Sequence, residues 1–262
     1  MQQQMYVSKV SRVKASVRVR PFIGNEIGFE ECISVPTTNR IIISDFSKSI
    51  EKNYDHVFSS DSSQSEVYSF ISSAITGVIK GLNSTIFAYG QTGSGKTYTM
   101  FGKDWDTKIK ELARNMLEAI KRGEQYQGEE ILDNLGLIPR SIQEVFYYIA
   151  NQNIDPSKIR VYMSFLQIYN EKIYDLLQDS DFRSPLQIRE DKHNGIYCEG
   201  LSEYLVATSL DAYTLLKRGE KNRIIRQTKG NMESSRSHSV FQMYIEYEDI
   251  SQQKIYKTKL NF

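Results

Sequence analysis

The sequence predicts an α/β fold in which a mixed, mainly β-sheet is flanked by helices on both faces. Three observations predict it. Residues 90–97, Gly-Gln-Thr-Gly-Ser-Gly-Lys-Thr, match the phosphate-binding loop pattern G-x-x-x-x-G-K-[ST]. The apolar, β-favouring residues 85–89 precede this loop and predict a buried strand. Residues 98–100 follow it without a helix breaker, so strand, loop and helix stand in the order of a P-loop NTPase fold.

Each part of the loop has a physical role in binding phosphate. The glycines let the backbone curl so that successive N–H groups point inward, and the following helix turns its positive end toward an anion. Lys96 is expected to reach the β- and γ-phosphates, and the Thr97 hydroxyl to bind Mg²⁺. The loop residues predicted to hold a nucleotide are Gly90, Gln91, Thr92, Gly93, Ser94, Gly95, Lys96 and Thr97. The alternative is an ordinary glycine turn between a strand and a helix.

Composition limits the class of protein and its surroundings. The chain has 262 residues, 40% of them hydrophobic and 25% charged, which favours a packed α/β domain over global disorder. A formal net charge of +1 gives no basic excess for nucleic acid or an anionic membrane, so neither is expected as a partner. Two cysteines without C-x-x-C spacing, and no signal peptide or transmembrane run, predict a cytoplasmic location.

The remaining elements follow from hydrophobic periodicity. Residues 1–11 are predicted to be a loose tail, and residues 12–262 one domain. Strands are expected where residues alternate or are rich in β-branched and aromatic types, and helices where apolar residues recur at three- and four-residue steps. The predicted strands are residues 12–20, 41–43, 159–169, 238–248 and 254–262, the last two joined as a hairpin through residues 251–253. The predicted helices are residues 67–82 and 210–226.

Residues 103–135 form a predicted helical insertion. Ile109, Leu112, Met116 and Ile120 fall on one helical stripe with charged residues opposite. Gly123 and Gly128 are expected to end this helix. The favoured interpretation is a surface helix that packs its stripe on the parent domain, and the alternative is a docking surface for a partner helix.

Five segments in order resemble the kinesin motor domain. One is the extended loop region 85–100, whose sequence TIFAYGQTGSGKTYTM is longer and more specific than the general pattern. The others are VRVRPF at residues 17–22, GLIPR at 136–140 followed by Val145 and Phe146, SFLQIYNEKIYDLL at 164–177, and NMESSRSHS at 231–239. The sequence is therefore identified as a member of the kinesin family over roughly residues 12–262.

The resemblance implies roles for individual residues. Arg18, Arg20 and Pro21 would line the adenine, with Tyr98 stacked on the opposite side of the ring. Asn231, Ser234 and Ser235 would close on the γ-phosphate and its metal, and Arg236 would pair with a glutamate of the second switch. The resemblance thus implies catalytic roles for Lys96, Thr97, Ser234, Ser235 and Arg236, and Mg²⁺ ligation by Thr97 and Ser235.

The implied function is an ATP-binding microtubule motor that couples ATP binding and hydrolysis to movement, located on cytoskeletal microtubules. Kinesins continue after the strand matching residues 259–262 into D-L-A-G-S-E, the second switch, and that segment is not in this sequence. We therefore expect a C-terminally truncated domain with severely reduced turnover and a large apolar patch on one sheet face. The alternative is a non-motile, kinesin-derived binding protein in a cytoskeletal or axonemal assembly, including that of a cilium. An unrelated P-loop enzyme is disfavoured by the kinesin segments.

Overall fold

The computed structural model describes residues 13–45, 47–123, 134–151, 156–178, 184–192, 195–229, 236–249 and 254–262. Two compact units make up the chain, Met1–Ser63 and Gln64–Phe262. The whole predicted tail, residues 1–11, and the turn at residues 251–253 lie outside the described residues. The expectation of one domain over residues 12–262 stays a prediction.

The first unit is built from five short strands. They are β1 (Ser16–Arg18), β2 (Ile33–Thr37), β3 (Arg40–Ser44), β4 (Ser49–Asn53) and β5 (His56–Phe58). β1 pairs with β5 in parallel, while β2, β3 and β4 form an antiparallel meander. Ile41, Val57 and Phe58 are buried in this unit. The strand predicted at residues 12–20 is shorter than expected because only Ser16–Arg18 find partners on β5, and Val13 is exposed.

The second unit contains the main sheet. Its strands are β6 (Ser84–Thr85), β7 (Ile159–Tyr169), β8 (Lys172–Asp175), β11 (Tyr204–Val206), β12 (Ser237–Asp249) and β13 (Lys254–Asn261). The order is β11-β7-β12-β13-β6, with β8 paired to β7. β13 and β6 are parallel and the other pairs are antiparallel, so the sheet is mixed as predicted. β9 (Gln187–Asp191) and β10 (Gly195–Glu199) form a separate hairpin.

The second unit contains five helices among its described residues. They are α1 (Gln64–Ile79), α2 (Lys96–Phe101), α3 (Trp105–Arg122), α4 (Leu137–Asn151) and α5 (Ser209–Lys229). Three of them, α1, α3 and α5, lie where the spacing of apolar residues predicts, whereas α4 was not predicted from the sequence. Leu112, Ile142 and Leu216 are fully buried, one each from α3, α4 and α5. Among the described residues, no helix is both long enough and apolar enough to cross a membrane.

One face of the main sheet is covered by helices. Phe165 of β7 and Phe241 of β12 pack edge to face with ring centroids 5.6 Å apart, and α5 lies against Phe165 through Gly219. α1 and α4 share this face, since both line a cavity of about 390 Å³ together with Ile245 and Thr258. In the described part of the chain, the helices that contact the sheet lie on this face. The expectation of helices on both faces therefore holds here for one face.

The opposite face carries a row of polar side chains. Ser164, Gln242, Asn261 and Thr85 lie opposite one another across β7, β12, β13 and β6. Their side chains form successive hydrogen bonds of 3.0, 3.0 and 3.1 Å. Tyr244 also donates to Gln242 Oε1, at 3.1 Å. Leu166 of β7 and Val240 of β12 pair with each other on the same face, so apolar side chains lie beside the row. The expected apolar patch stays a prediction.

The predicted insertion contains the expected helix, α3. Ile109 and Leu112 are buried, as their stripe predicts, and Gly123 follows the last turn with a φ of 71°. Asp106 accepts a contact from Lys217 of α5 at 2.8 Å, so α3 packs on the parent unit. This arrangement agrees with the favoured interpretation. The side chains of Met116 and Ile120, and Gly128, lie outside what the structure describes.

Candidate nucleotide-binding site

The strand before the loop is shorter and more exposed than predicted. β6 ends at Thr85, and the last sheet contact is the Ile86 N–H donating to Asn261 O at 2.9 Å. Phe87 is 72% exposed and Tyr89 is 95% exposed. The prediction of a buried strand over residues 85–89 is therefore wrong, because within this range β6 contains only Thr85 and Thr85 is itself exposed. The described residues give β6 one neighbour, β13, and the chain leaves that neighbour before the glycines begin.

The loop itself has the backbone that its glycines permit. Gly93 and Gly95 have φ values of 80° and 96°, in the left-handed region that side chains disfavour. A Cβ atom on Gly90 would lie 2.4 Å from Ser94 Oγ, so the loop closes tightly on itself. α2 starts directly after Gly95, and the Thr99 N–H donates to Gly95 O at 2.9 Å. Loop and helix are thus in the predicted order.

Lys96 folds back over the loop that precedes it. Its Nζ donates to Gly90 O at 2.7 Å and to Gln91 O at 2.8 Å. A lysine ammonium has three donors, so these two bonds fix its position without using all of its capacity. The positive charge therefore sits at the start of the loop.

The two residues after Lys96 are accessible. Thr97 is exposed, and Tyr98 is 46% exposed. The carbonyl of Tyr98 accepts a hydrogen bond from Nε2 of Gln64, a buried residue at the start of α1, at 2.7 Å. Sequence reasoning missed this contact. No local pattern links two residues so far apart, and only the tertiary fold brings the start of α1 to the start of α2.

The proposed adenine segment lies in the first unit. Arg18 Nη2 donates to Ser62 O at 3.2 Å, and Pro21 is exposed. Arg20 forms a bidentate ion pair with Glu26, in which Nη1 donates to Oε2 at 2.5 Å and Nη2 donates to Oε1 at 2.6 Å. The bonds from Arg20, and a further one from the Ile23 N–H, lower the pKa of Glu26 to about 2. Glu26 is a second residue that sequence reasoning missed, because a spacing of six residues carries no motif.

The residues proposed to sense the γ-phosphate are only partly visible. Asn231, Ser234 and Ser235 lie outside the described residues. Arg236 is described, is exposed, and directly precedes β12.

Strand registers place Arg236 and the loop at the same edge of the sheet. The polar row runs from Thr85 to Gln242 across β13. Gly90 lies five residues beyond Thr85 along the chain, and Ser237 lies five residues before Gln242. Both steps lead to the same edge, because β6 is parallel to β13 and β12 is antiparallel to it. One strand, β13, separates β6 from β12, so these two strands lie about 10 Å apart in the sheet.

A glycine-rich loop between a strand and a helix, set at the edge of a mixed sheet, defines the P-loop NTPase fold. The family model described as "Kinesin motor domain" matches residues 18–262. The chain belongs to the kinesin motor domain family.

Comparison with known proteins agrees with this family. Human centromere-associated protein E is 38% identical over 238 residues, which is 89% of this chain and 8% of that protein. Kinesin-related protein 5 of Dictyostelium discoideum is 34% identical over 237 residues, 89% of this chain and 21% of that protein. A solved structure of a fast kinesin superposes with a TM-score of 0.80 at 29% identity, covering 95% of this chain and 64% of that one. The chain thus spans 8% and 21% of the length of these two relatives.

Proposed function

We propose that this chain is the ATP-binding part of a kinesin-type microtubule motor, which couples ATP binding and hydrolysis to movement along microtubules. Family membership supports the proposal, as does the likeness to a fast kinesin whose reported structure concerns ATPase mechanism and interactions with microtubules. The observation that carries it is the shared sheet edge of residues 90–97 and Arg236. A motor needs its phosphate-binding loop and its phosphate-sensing segment close together.

The residues present fit a magnesium nucleotide. Residues 90–97 would offer backbone N–H groups to the phosphates, and Lys96 would turn one or more donors from the Gly90 and Gln91 carbonyls to phosphate oxygens. Mg²⁺, when bound, neutralises charge on the β- and γ-phosphate oxygens. The hydroxyls of Thr97 and Ser235 are the proposed protein ligands of the metal.

The remaining roles are proposed from the family resemblance. Asn231, Ser234 and Ser235 would respond to the γ-phosphate, with Arg236 at the base of that segment. Arg18, Arg20, Pro21 and Tyr98 would contact the adenine. An exposed aromatic ring such as Tyr98 can stack on a purine without first being unpacked from the core.

Turnover by these 262 residues alone is proposed to be low. In-line hydrolysis requires a positioned water and stabilised charge on the transferred phosphoryl group. In the family the second switch helps to supply both, and its D-L-A-G-S-E segment is not in this sequence. We propose cytoskeletal microtubules as the partner and location.

A chimera tests the motor proposal. Residues 1–262 are joined to the C-terminal half of a kinesin motor domain, and ATP hydrolysis is measured with and without microtubules. The proposal expects stimulation by microtubules in the chimera, loss of that stimulation in Lys96→Ala, and none in the 262-residue chain alone. A folded chimera that binds microtubules without stimulated hydrolysis would instead support a non-motile, kinesin-derived structural protein.

A further inference from the structure

Gln167 of β7 is an unusual buried residue. Its exposed fraction is 0%, yet neither Nε2 nor Oε1 has a hydrogen-bond partner within the part of the chain that the structure describes. Buried polar side chains in native proteins are nearly always bonded, and leaving one unbonded costs free energy. The exception therefore calls for a physical explanation.

The side chain of Gln167 lies on the helix-covered face of the sheet. It is two residues beyond Phe165 on β7, so both point to the same face. α5 crosses this face in the direction of β7, because β11 ends with Val206 opposite Val161 and α5 then returns past Phe165 at Gly219. Arg223 follows Gly219 by one helical turn, about 6 Å, and Gln167 follows Phe165 by two strand residues, about 7 Å. Arg223 and Gln167 are therefore at the same level of the sheet.

α5 carries a shielded ion pair at this level. Arg223 Nε and Nη2 each donate to a carboxylate oxygen of Glu220 at 2.8 Å. Their side chains are only 17% and 7% exposed. Both groups can make further hydrogen bonds, since a guanidinium has five donors and a carboxylate about four acceptor sites. An amide offers a donor and an acceptor, so Gln167 matches either group.

This level of the sheet is close to the candidate nucleotide site. Gln167 pairs with Ser239, three residues after Arg236, at the same edge as residues 90–97. α5 ends at Lys229, and the residues proposed to sense the γ-phosphate follow it in the sequence. A small shift of α5 that accompanies sensing would bring the ion pair toward or away from Gln167.

We propose that Gln167 is a positioning residue for the nucleotide response: a nucleotide with a γ-phosphate favours an arrangement of α5 in which the Glu220–Arg223 pair hydrogen-bonds the Gln167 amide. This rests on the proposed function. The arrangement described here leaves the amide unbonded, so bonding it adds free energy to the second arrangement. A ligand shifts such an equilibrium by the difference in its affinity for the two arrangements. Gln167 thereby contributes to the preference for a triphosphate over a diphosphate.

The test compares the same substitution at two glutamines of neighbouring strands. Gln167→Met removes the unbonded amide, whereas Gln242→Met removes the bonded amide of the polar row on the opposite face. The 262-residue chain is used throughout. Tm is measured without nucleotide, and dissociation constants are measured for Mg-ADP and for a non-hydrolysable Mg-ATP analogue.

The two variants are expected to change Tm in opposite directions. Gln167→Met raises Tm by about 2–4 °C, because an apolar chain of similar shape replaces an unsatisfied one. It weakens binding of the ATP analogue about fivefold, the effect of roughly one hydrogen bond, and leaves the dissociation constant of Mg-ADP unchanged. Gln242→Met lowers Tm and leaves the ratio of the two dissociation constants unchanged.

Two results would overturn the inference. One is a lower Tm or failure to fold for Gln167→Met, which would mean that the amide is already satisfied, for example by a buried water. The other is a loss of affinity in Gln167→Met that is equal for the two nucleotides, or no loss of affinity for either. A folded wild-type chain that binds neither nucleotide would instead refute the proposed function. A chain that binds both with no selective effect of Gln167→Met would refute this inference alone.

Discussion

A Cβ atom placed on Gly219 of α5 would lie 2.1 Å from Cδ1 of Phe165 in β7. The helix backbone therefore rests directly on the aromatic ring, without a side chain between them. Phe165 is itself fixed by its edge-to-face contact with Phe241. This close approach sets the height of α5 above the sheet, and with it the position from which the chain continues toward residues 231–235.

Gly219→Ala is expected to destabilise the protein by about 1–3 kcal/mol. The added methyl group must displace either Phe165 or α5, which outweighs the gain of about 1 kcal/mol from replacing glycine in a helix. Gly77→Ala in α1 is the matched control, since a Cβ there would lie 3.8 Å from Cδ1 of Leu82, an ordinary van der Waals distance. Denaturant unfolding should show a lower free energy of unfolding for Gly219→Ala and no decrease for Gly77→Ala. Equal stability of both variants would contradict the close contact.

The turn between β7 and β8 is expected to gain stability from glycine. Asn170 and Glu171 have φ values of 48° and 60°, the left-handed pair of a two-residue hairpin loop. Glutamate is strained there, whereas asparagine tolerates this region. Glu171→Gly should raise the free energy of unfolding by about 0.5–1 kcal/mol. Glu171→Ala keeps the backbone strain and should leave the free energy of unfolding unchanged. If alanine raised that free energy as much as glycine does, the explanation by strain would be refuted.

The ion pair of Arg20 and Glu26 predicts a pH dependence. Hydrogen bonds from Arg20 hold the pKa of Glu26 at about 2 in the folded chain, below its ordinary value of 4.5. Because the folded pKa is the lower one, the stabilisation is present above about pH 4.5 and is lost as pH falls toward 2.

Tm measured from pH 7 to pH 2.5 checks this dependence. Glu26→Gln removes the charge at every pH, so wild type should be the more stable at pH 7 and the difference should shrink below pH 4.5. Glu51→Gln, in the exposed ion pair with Arg40 on β3 and β4, is the control for the loss of a surface carboxylate. A difference between wild type and Glu26→Gln that stays constant over the whole range would contradict the lowered pKa.

Sequence reasoning succeeded where structure depends on local pattern. β7 begins and ends where the β-branched and aromatic run predicts, at residues 159–169, and the hairpin of β12 and β13 follows its alternation. The same alternation assigns Gln242, Tyr244 and Glu246 to one face of β12. Reading that pattern alone would have predicted the polar row. The apolar patch was predicted instead from helices that the family places on this face.

The failures concern contacts between distant parts of the chain. Residues 85–89 have the composition of a strand, but composition does not state how many neighbouring strands are present to pair with it. The bond from Gln64 to the Tyr98 carbonyl and the ion pair from Glu26 to Arg20 likewise have no signature in spacing. The glycine loop was predictable because its backbone conformation is encoded in consecutive residues.

The most direct test of the account is the affinity of the 262-residue chain for Mg-ATP, with and without Lys96. Calorimetric titration should give a dissociation constant below about 1 mM for wild type, and Lys96→Ala should weaken binding about 10–100-fold, since each charge-assisted hydrogen bond contributes about 1.5–3 kcal/mol. Lys80→Ala removes an exposed lysine just after α1 and should bind as wild type does. A folded wild-type chain that does not bind millimolar Mg-ATP, or a Lys96→Ala variant that binds equally well, would contradict the account.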